Sequence, residues 1–510
     1  MSVHTDDKIK TVDELAAISA ALKQQGKKIV HCHGVFDLLH PGHFRHFAAA
    51  RRLGDVLIVT LTRDEFVNKG PGRPVFNQRL RAESIAALAS VDYVAINEWP
   101  TAVNTIHRLR PDLYVKGSEY AQREQDLTGK IYDEEQAVET VGGRLAFTDD
   151  ITFSSTQLLN NYFDVFSAEA DTFLRDFRQR YSAGQVIEML KALQPLRVLV
   201  IGDAIIDEYH YCKAVGKASK SATLTSRFLY EETYAGGSLA VANHVAGFCH
   251  DVHLVTVLGA PHSYEEFIRG HLKPNVTAHF IVRDDAPTIV KRRFVDPFLI
   301  SKMFEVCYLN ESYLPAAQQS DLRGHLQAII ADYDVVLVTD FGHGMLDRET
   351  IALVTASARF LAVNTQANSL NLGYNVISNY PRADYVCIDQ EELRLAARDR
   401  LTPVRDLIPR LARQVGAATV NVTLGTHGSV SYRHEEGMAD VPVFTNEVVD
   451  SIGAGDAYLA VTAPCVAAGL PAEVIGFIGN CVGALAVQIV GNKESVEPTA
   501  LFKFITTLLK

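Results

Sequence analysis

Short apolar runs alternate along the chain with longer segments in which apolar residues recur at helical spacing. The apolar runs that predict buried strands lie at residues 28–30, 55–61, 91–96, 112–117, 197–203, 335–340 and 419–424. Segments such as 44–53 have the three-to-four-residue spacing of amphipathic helices. Because strands that alternate with helices in this way pair in parallel, the pattern predicts an α/β protein with helices on both faces of its sheets.

The length of the chain, 510 residues, exceeds what one hydrophobic core can organise, so more than one domain is expected. Residues 161–195 have helical spacing throughout and reach a stop at Pro195. We therefore predict an N-terminal domain over 1–160, a helical connector over 161–195 and a second α/β domain over 196–510.

Composition narrows the class of protein. With 47% hydrophobic and 21% charged residues the chain is globular, and its net charge of −11 argues against a nucleic-acid partner. Seven scattered cysteines, an odd number, favour reduced thiols, and the first ten residues show no signal peptide. The most apolar region, 457–490, is interrupted by Pro464 and Glu473 and predicts two buried helices, not a membrane span. We expect a cytoplasmic protein with no membrane partner.

The segment GVFDLLHPGH, residues 34–43, links a predicted strand to a predicted helix. His40 and His43 are three residues apart, so both lie on one side of the first helical turn. Gly42 leaves the backbone open to a phosphate, and the N–H groups of a helix start attract anions. Two imidazoles there suit attack at the α-phosphate of a nucleotide; the alternative is a pair of ordinary polar helix-start residues. The candidate residues of this segment are His40 and His43 as catalytic groups, and Gly34, Phe36, Asp37 and Gly42 as nucleotide-binding groups.

Further candidates follow in chain order. Lys69 lies in the Gly/Pro-rich loop KGPGRPV and Arg79 opens the next helix; both are phosphate-binding candidates, or else solvated surface cations. Ser154, Ser155 and Thr156 form a hydroxyl-rich helix start that suits a leaving pyrophosphate, or is plain helix capping.

The second predicted domain has its own phosphate-binding candidate at residues 453–456. Gly453, Ala454 and Gly455 are small residues at a helix start, where consecutive N–H groups can converge on an anion, and Asp456 follows at the edge of that cradle. Phosphoryl transfer to a hydroxyl needs a positioned base and a place for developing phosphate charge. This segment offers both, although alone it is also compatible with a tight turn and a capping aspartate.

Residues 26–160 resemble the heptose-phosphate nucleotidyltransferases of the cytidylyltransferase-like class, which have a Rossmann-like fold and an HxGH signature. The resemblance rests on GVFDLLHPGH, KGPGRPV followed by QR, VKGSEY and SSTQLL. It implies that Lys116 joins the histidines in stabilising the α-phosphate transition state, that the SSTQLL helix start holds the triphosphate, and that the turn at Gly117 helps to recognise the base. Ser118 and Glu119 stand where the family usually has Gly-Asp.

Residues 197–500 resemble the ribokinase-like sugar kinases, and within them the heptose-phosphate kinases. This resemblance implies a small β lid and the following roles: Asp456 as base, Gly453 to Gly455 as anion hole, Thr423, Gly425 and Gly428 at the nucleotide, Asp203, Asp207, Gly236 and Gly237 at the sugar, and Glu392 as an indirect Mg²⁺ ligand. The chain departs from the family at four places, with Ala240 and its neighbours in place of a sugar-binding asparagine, His343 in place of a lysine, residues 364–366 in place of Asp-Pro-Lys, and Asp389 in place of an asparagine.

Together the two resemblances imply a bifunctional enzyme of nucleotide-sugar synthesis. One half would phosphorylate a sugar or sugar phosphate with ATP, and the other would join a sugar 1-phosphate, expected to be a heptose, to CTP or ATP with release of pyrophosphate; Mg²⁺ would serve both. The resemblance also implies a homodimer. The alternatives are a nucleotidyltransferase whose kinase-like half is a dimerisation or regulatory module, and a non-catalytic nucleotide-sensing scaffold.

Overall fold

The predicted strands form three sheets in the computed structural model, which describes residues 5–117, 130–148, 166–298, 301–371 and 373–510. The chain divides into two units. The first comprises Met1–Ser167 and Phe502–Lys510, and the second Ala168–Leu501. The α/β class predicted from the apolar pattern is confirmed.

The first unit contains a five-stranded parallel sheet in the order β3-β2-β1-β4-β5. Its strands are β1 (Ile29–Gly34), β2 (Val56–Thr62), β3 (Tyr93–Asn97), β4 (Leu113–Gly117) and β5 (Arg144–Thr148). The helices described in this unit are Thr5–Lys8, Val12–Gln24, Pro41–Arg51, Gln78–Ala86, Val103–Leu109 and Lys130–Thr140. Strand β2 is fully buried and β1 is buried from Ile29 to Cys32, because helices cover both faces of the sheet. The HxGH segment follows the carboxyl end of β1, the middle strand.

The second unit has a nine-stranded sheet in the order β10-β9-β6-β13-β14-β15-β16-β17-β18, parallel from β10 to β16 and antiparallel beyond. Its strands are β6 (Arg197–Gly202), β9 (Asp251–Gly259), β10 (Val276–Arg283), β13 (Val335–Asp340), β14 (Leu361–Thr365), β15 (Tyr385–Asp389), β16 (Thr419–Thr423), β17 (Ser429–Arg433) and β18 (Gly437–Val441). The helices of the second unit are Ala168–Arg180, Ala183–Lys191, Ser238–Ala246, Glu265–His271, Ala316–Ile329, Arg348–Ser357, Gln390–Ala397, Val404–Gln414, Ala454–Ala467 and Ala472–Ala486; helix Pro498–Leu508 runs across the division of the chain.

A separate four-stranded sheet in the second unit has the order β12-β11-β7-β8. Its strands are β7 (Ala204–Lys217), β8 (Leu224–Gly237), β11 (Ile289–Asp296) and β12 (Ser301–Tyr308). Strands β7 and β11 pair in parallel, whereas β8 and β12 pair antiparallel at the two edges. We refer to these four strands as the small sheet; it corresponds to the lid that the kinase resemblance implied.

The unit boundaries differ from the predicted domain boundaries at two places. Helices Ala168–Arg180 and Ala183–Lys191, predicted to form a connector, belong to the second unit because their apolar faces pack there. The Phe177 ring stacks on Phe477 with 4.4 Å between centroids, and Arg180 forms an ion pair with Glu473. The last nine residues, 502–510, belong to the first unit.

The apolar region at residues 457–490 forms two buried helices, as predicted, because Pro471 separates Ala454–Ala467 from Ala472–Ala486. In the part of the chain that the structure describes, no helix combines the length and apolarity needed to cross a bilayer.

Candidate active sites

In the first unit, His40 and His43 lie face to face at the start of helix Pro41–Arg51, with 3.9 Å between ring centroids and 24° between ring planes. His40 is the N-cap residue, and its Nδ1 accepts a hydrogen bond of 3.1 Å from the backbone N–H of Gly42. Because Nδ1 is the acceptor, the proton of neutral His40 is on Nε2, which can donate to a phosphate oxygen. The local sequence therefore fixes both the position and the tautomer of this imidazole.

Both imidazoles are held in their neutral forms. Burial is the main cause that lowers the pKa of His43 to about 3, and the neighbouring His40 and Lys69 lower it further. The pKa of His40 is lowered as well, first by burial and then by Lys69. Burial also lowers the pKa of Lys69 to about 8. The structure thus places Lys69 close enough to act electrostatically on both histidines, as the phosphate-binding assignment requires.

Asp37 anchors the loop that carries Lys69. Its carboxylate is fully buried, accepts backbone N–H groups of Val75 at 2.7 Å and Phe76 at 3.3 Å, and forms an ion pair of 3.4 Å with Arg73. The carboxylate of Asp37, which the sequence predicts to bind the nucleotide, makes these three contacts within the protein. Phe36, the residue before it, has a left-handed backbone (φ 49°) and places its ring edge-on to His43 at 5.3 Å, beside Gly34.

Lys116 makes a buried ion pair of 2.8 Å with Glu134 at the end of β4, next to Gly117. The Lys116 ammonium also lies over the Tyr114 ring, 5.1 Å from its centroid. Arg79 is exposed and forms ion pairs with Glu83 at 2.6 Å and Asp6 at 2.8 Å, which is the geometry of a surface cation. Ser154, Ser155 and Thr156 lie outside the described residues.

The sequence assigned no role to three charged residues of this unit. Arg73 forms an ion pair with Asp37, and Glu134 forms one with Lys116. The fully buried Arg81 donates hydrogen bonds to the carbonyls of Val35 and Thr62. The partners are 18 to 46 residues apart along the chain, so spacing gave no signal for them. The KGPGRPV motif did include Arg73 as a second loop cation.

In the second unit, Asp203 and Asp340 lie next to each other because β6 and β13 are parallel neighbours that end at the same edge. The pKa of Asp203 is raised to about 7, first by burial and then by the nearby Asp340. Backbone amides of His343 and Phe341 partly offset this shift. The structure therefore places Asp203 at the carboxyl ends of the strands, where α/β sheets bind ligands.

Asp207 lies on β7 and forms a buried ion pair with Arg293. The glycine pair at the end of β8 is required by this packing: a Cβ on Gly236 would stand 2.0 Å from Asp207 Oδ2, and Gly237 has a left-handed φ of 58°. Asp203, Asp207, Gly236 and Gly237 are therefore neighbours, as expected for one sugar site.

The segment at 453–456 forms the first turn of helix Ala454–Ala467, with Gly453 as its left-handed N-cap (φ 82°). The pKa of Asp456 is raised to about 7, first by burial and then by Asp207, while Lys291 partly offsets the rise. Asn492, which the sequence reasoning missed, connects the two parts of the site. Its Nδ2 donates to Asp207 Oδ2 at 3.2 Å, and its Oδ1 occupies the space 2.2 Å from where a Cβ of Gly453 would be.

The predicted nucleotide and metal residues lie at the ends of β15 and β16. Thr423 ends β16, and Gly425 and Gly428 shape the turn after it with φ values of 60° and 87°. Both oxygens of Glu392 accept backbone N–H groups, from Ala367 at 3.0 Å and from Asp389 at 2.8 Å. Burial, and then the charges of Asp389 and Asp456, raise the pKa of Glu392. Asp389, at the position of the expected asparagine, caps the helix by accepting a hydrogen bond from the backbone N–H of Glu392.

Of the four departures from the family, His343 removes a positive charge from the site. Its pKa is lowered to about 3, first by burial and then by Lys291, and its Nε2 has no hydrogen-bond partner among the residues that the structure describes. A neutral imidazole therefore stands where the family has a lysine.

These two sites have the architecture of two classes of phosphate-transferring protein, and comparison with known families agrees. Residues 196–500 match the family described as pfkB family carbohydrate kinase, and residues 31–161 match the family described as cytidylyltransferase-like. Because the first match spans more than half of the chain, the chain belongs to the pfkB family, with a cytidylyltransferase-like domain added at its N-terminal side.

Similar curated proteins match the N-terminal part of the chain. The protein named bifunctional protein HldE from Geobacter sulfurreducens is 42% identical over 149 residues, which are 28% of this chain and 29% of the relative. The HldE protein of Aliarcobacter butzleri is 42% identical over 144 residues, 28% of this chain and 30% of the relative. The chain thus matches only about three tenths of the length of these relatives.

Among solved structures, Escherichia coli phosphofructokinase-2 in complex with substrates and products aligns with a TM-score of 0.50 and 15% identity. The alignment covers 62% of this chain and all of that chain. At this identity the likeness shows the fold of the kinase unit.

Substitution of Asp37 tests whether the loop of Lys69 depends on this buried anchor. We expect Asp37→Ala to lower the free energy of unfolding of the first unit by about 3 kcal/mol or more, because Arg73 loses its partner in a buried site. Trp99, the single tryptophan, lies in this unit, so its fluorescence in a urea titration reports the transition. The matched control Arg79→Ala breaks exposed pairs and should cost at most about 1 kcal/mol. Equal losses in the two variants would contradict the anchoring role.

Proposed function

We propose that the chain is a bifunctional enzyme of nucleotide-sugar synthesis. The second unit would phosphorylate a sugar or sugar phosphate with ATP. The first would transfer a nucleotidyl group from CTP or ATP to the resulting sugar 1-phosphate and release pyrophosphate. The observation that supports this most strongly is the presence in one chain of two separate phosphate sites, each with its reactive group at a helix start: His40 and His43 in one, Asp456 in the other.

In the kinase half, Asp456 acts as the base. A pKa raised to about 7 makes its carboxylate a better proton acceptor than an ordinary aspartate while leaving a large ionised fraction near neutral pH. The hydroxyl of the sugar, oriented by Asp203 and Asp207, gives its proton to Asp456 as its oxygen attacks the γ-phosphorus. The bond from that phosphorus to the β,γ-bridging oxygen breaks, and ADP leaves. The N–H groups at Gly453 to Gly455 then face the charge on the transferring group.

In the nucleotidyltransferase half, the neutral histidines donate hydrogen bonds to the α-phosphate, and Lys69 supplies the positive charge. The sugar phosphate oxygen attacks the α-phosphorus, and the bond to the pyrophosphate oxygen breaks. Because the donors are fixed by the helix start before substrate binds, little reorganisation is needed as charge develops.

The residues of the kinase half fit a Mg²⁺-nucleotide. Burial and then the charges of Asp389 and Asp456 raise the pKa of Glu392 to about 8, so carboxyl groups are concentrated at this end of the site, where a divalent cation would favour their ionised forms. Within the described residues, no group of three or more His, Cys, Asp or Glu side chains is arranged to hold a metal alone. Mg²⁺ usually binds through one or two carboxylates and substrate phosphates, so Glu392, acting through water, is the candidate. When bound, the ion would offset charge on the phosphates.

A heptose is the proposed sugar because the motifs of the first unit resemble the heptose-phosphate nucleotidyltransferases and its similar relatives are named bifunctional proteins. Since nucleoside triphosphates are the co-substrates, we propose the cytoplasm as the location. The alternative, a kinase-like half that serves only as a regulatory module, is disfavoured by the assembled group of Asp203, Asp207 and Asp456.

Two variants separate the two activities. We expect His43→Ala to lower pyrophosphate release from CTP or ATP with heptose 1-phosphate by about 10²- to 10⁴-fold, and Asp456→Asn to lower ATP-dependent sugar phosphorylation by a similar factor. Each variant should keep the other activity, which provides its control. A wild-type protein that transfers nucleotide but phosphorylates no heptose or heptose phosphate would support the alternative function.

The pKa of Lys69 predicts a pH dependence for nucleotidyl transfer. Lys69 is charged below about pH 8 and neutral above it, so kcat/KM, which reports the free enzyme, should fall as pH rises through about 8. Lys69→Arg keeps the charge at all these pH values and should remove this decline. A decline that persists unchanged in Lys69→Arg would contradict the assignment.

The small sheet supports the proposed homodimer. Its outer face carries a row of rings that crosses all four strands: Phe304 to Phe294 at 4.4 Å, Phe294 to His210 at 5.4 Å, and His210 to Phe228 at 5.6 Å. Phe304 is 54% exposed and Phe228 is 52% exposed. The row also contains one polar ring, since His210 Nε2 lies 3.5 Å from Glu208 and 3.3 Å from Glu231. Because burial of the exposed Phe rings would be favourable, we propose that a second copy of the chain covers the row.

A charge placed in this row should prevent association. We expect Phe304→Asp to convert a dimer to a monomer in analytical ultracentrifugation, because a carboxylate would have to be buried at the interface. Leu401→Asp, at a position that is 92% exposed and outside the small sheet, is the matched control and should stay dimeric. A monomeric wild-type protein would rule out the dimer.

A further inference from the structure

Several cations of the small sheet and its neighbours are paired with carboxylates. The ion pairs are Arg292 to Glu208, Arg293 to Asp207 and Glu305, Lys302 to Asp450, and Lys493 to Glu232. Lys291 on β11 differs from them. It is only 7% exposed, yet its ammonium has no hydrogen bond or ion pair with any residue that the structure describes.

Lys291 lies beside the residues of the proposed kinase site. In the pairing of β11 with β7, Lys291 stands opposite Asp207, two residues before Arg293, which bonds to the same aspartate. Residues two apart on a strand share a face, so Lys291 lies on the inner face, opposite to the ring row. Its ammonium is 5.8 Å from the centre of the Phe341 ring, just beyond the end of β13.

The electrostatics of the site agree with this geometry. The Lys291 charge lowers the pKa values of both Asp203 and Asp456, which burial raises to about 7, and it contributes to the lowered pKa of His343. One ammonium therefore faces the proposed sugar-binding aspartate, the proposed base and the neutral imidazole.

We propose that Lys291 is a catalytic residue of the kinase reaction, and that its ammonium binds the phosphoryl group in flight from ATP to the sugar hydroxyl. The inference rests on the proposed kinase function and adds the cation that His343 does not supply. In the transfer, the hydroxyl oxygen forms a bond to the γ-phosphorus, the bond from that phosphorus to the β,γ-bridging oxygen breaks, and the hydroxyl proton passes to Asp456. Lys291 keeps its protons and forms no covalent bond.

No other described cation of this face is as available for that task. Arg293 is shared between Asp207 and Glu305, and Lys302 is held by Asp450, which also accepts the hydroxyl of Tyr209 at 2.7 Å. A buried ammonium without a counter-ion is costly unless an anion arrives, so a phosphoryl group is the expected partner. Because the Lys291 charge acts on both Asp203 and Asp456, that anion would lie near the proposed base and the proposed sugar-binding aspartate.

The test compares Lys291→Met, which keeps the length of the side chain and removes its charge, with Lys291→Arg, which keeps the charge. With Mg²⁺, ATP and the heptose or heptose phosphate that the wild type accepts, we expect kcat to fall about 10²- to 10³-fold in Lys291→Met, and Lys291→Arg to retain at least a tenth of the wild-type value. The matched control is Lys213→Met, an exposed lysine on β7, which should behave as wild type.

Two further readouts separate catalysis from a structural role. Nucleotidyl transfer and the thermal unfolding temperature should not fall in Lys291→Met, since the change removes an unpaired buried charge. The acid limb of the kinase kcat/KM profile should move to higher pH, because Asp203 and Asp456 lose the cation that lowers their pKa values. The other titratable groups facing these two aspartates, which stay in place in the variant, are Asp207, Asp340, Cys387 and Glu392.

A wild-type protein that phosphorylates sugar, together with a Lys291→Met variant of equal kcat or an unshifted acid limb, would overturn this inference and leave the proposed function intact. A loss of kcat that comes with an equal loss of thermal stability would also overturn it. A wild-type protein that phosphorylates none of the sugars would overturn the proposed kinase function itself, and the role of Lys291 with it.

Discussion

The close pairing of β6 with β13 is the constraint on which the kinase site depends. Gly202 ends β6, and a Cβ there would stand 2.2 Å from Thr339 Oγ1 and 2.3 Å from the Thr339 carbonyl oxygen. Only a glycine lets the two strands end side by side, and this brings Asp203 next to Asp340. The loop that follows Asp340 then turns Phe341 and His343 toward Asp203, and the small sheet adds Asp207 and Lys291 from the side.

Burial of charge is the second common feature, and it has opposite effects on acids and bases. Asp203 and Asp456 become harder to ionise, whereas His43, His343 and Lys69 become harder to protonate. Each shift moves a group toward its neutral form, because a low-dielectric surrounding penalises charge of either sign. The sites therefore contain proton acceptors and neutral hydrogen-bond donors that phosphate transfer can use.

The departures from the kinase family are explained in different degrees by the structure. Asp389 stands in place of an asparagine and is the N-cap of its helix. Its carboxylate accepts a hydrogen bond from the backbone N–H of Glu392, which the side-chain oxygen of an asparagine could also accept. Ala240 lines a cavity of about 550 Å³ together with Asn492, and Asn492 donates a hydrogen bond to Asp207. An amide from another part of the chain is therefore present beside this aspartate. His343 cannot replace a lysine as a charge, and the burial of Lys291 nearby offers a physical reason why the site tolerates it.

The sequence alone determined the α/β class, most strand positions, and the two helix starts that carry His40, His43 and Asp456, because these depend on local periodicity and on spacing within a single turn. The tertiary structure decided which distant side chains meet. Asp37 and Arg73 are 36 residues apart, and Asn492 lies 285 residues from Asp207. It also decided that Arg79 is a surface cation and that the predicted connector belongs to the second unit. Such pairings follow from strand register and helix packing over the whole fold, so local sequence patterns do not predict them.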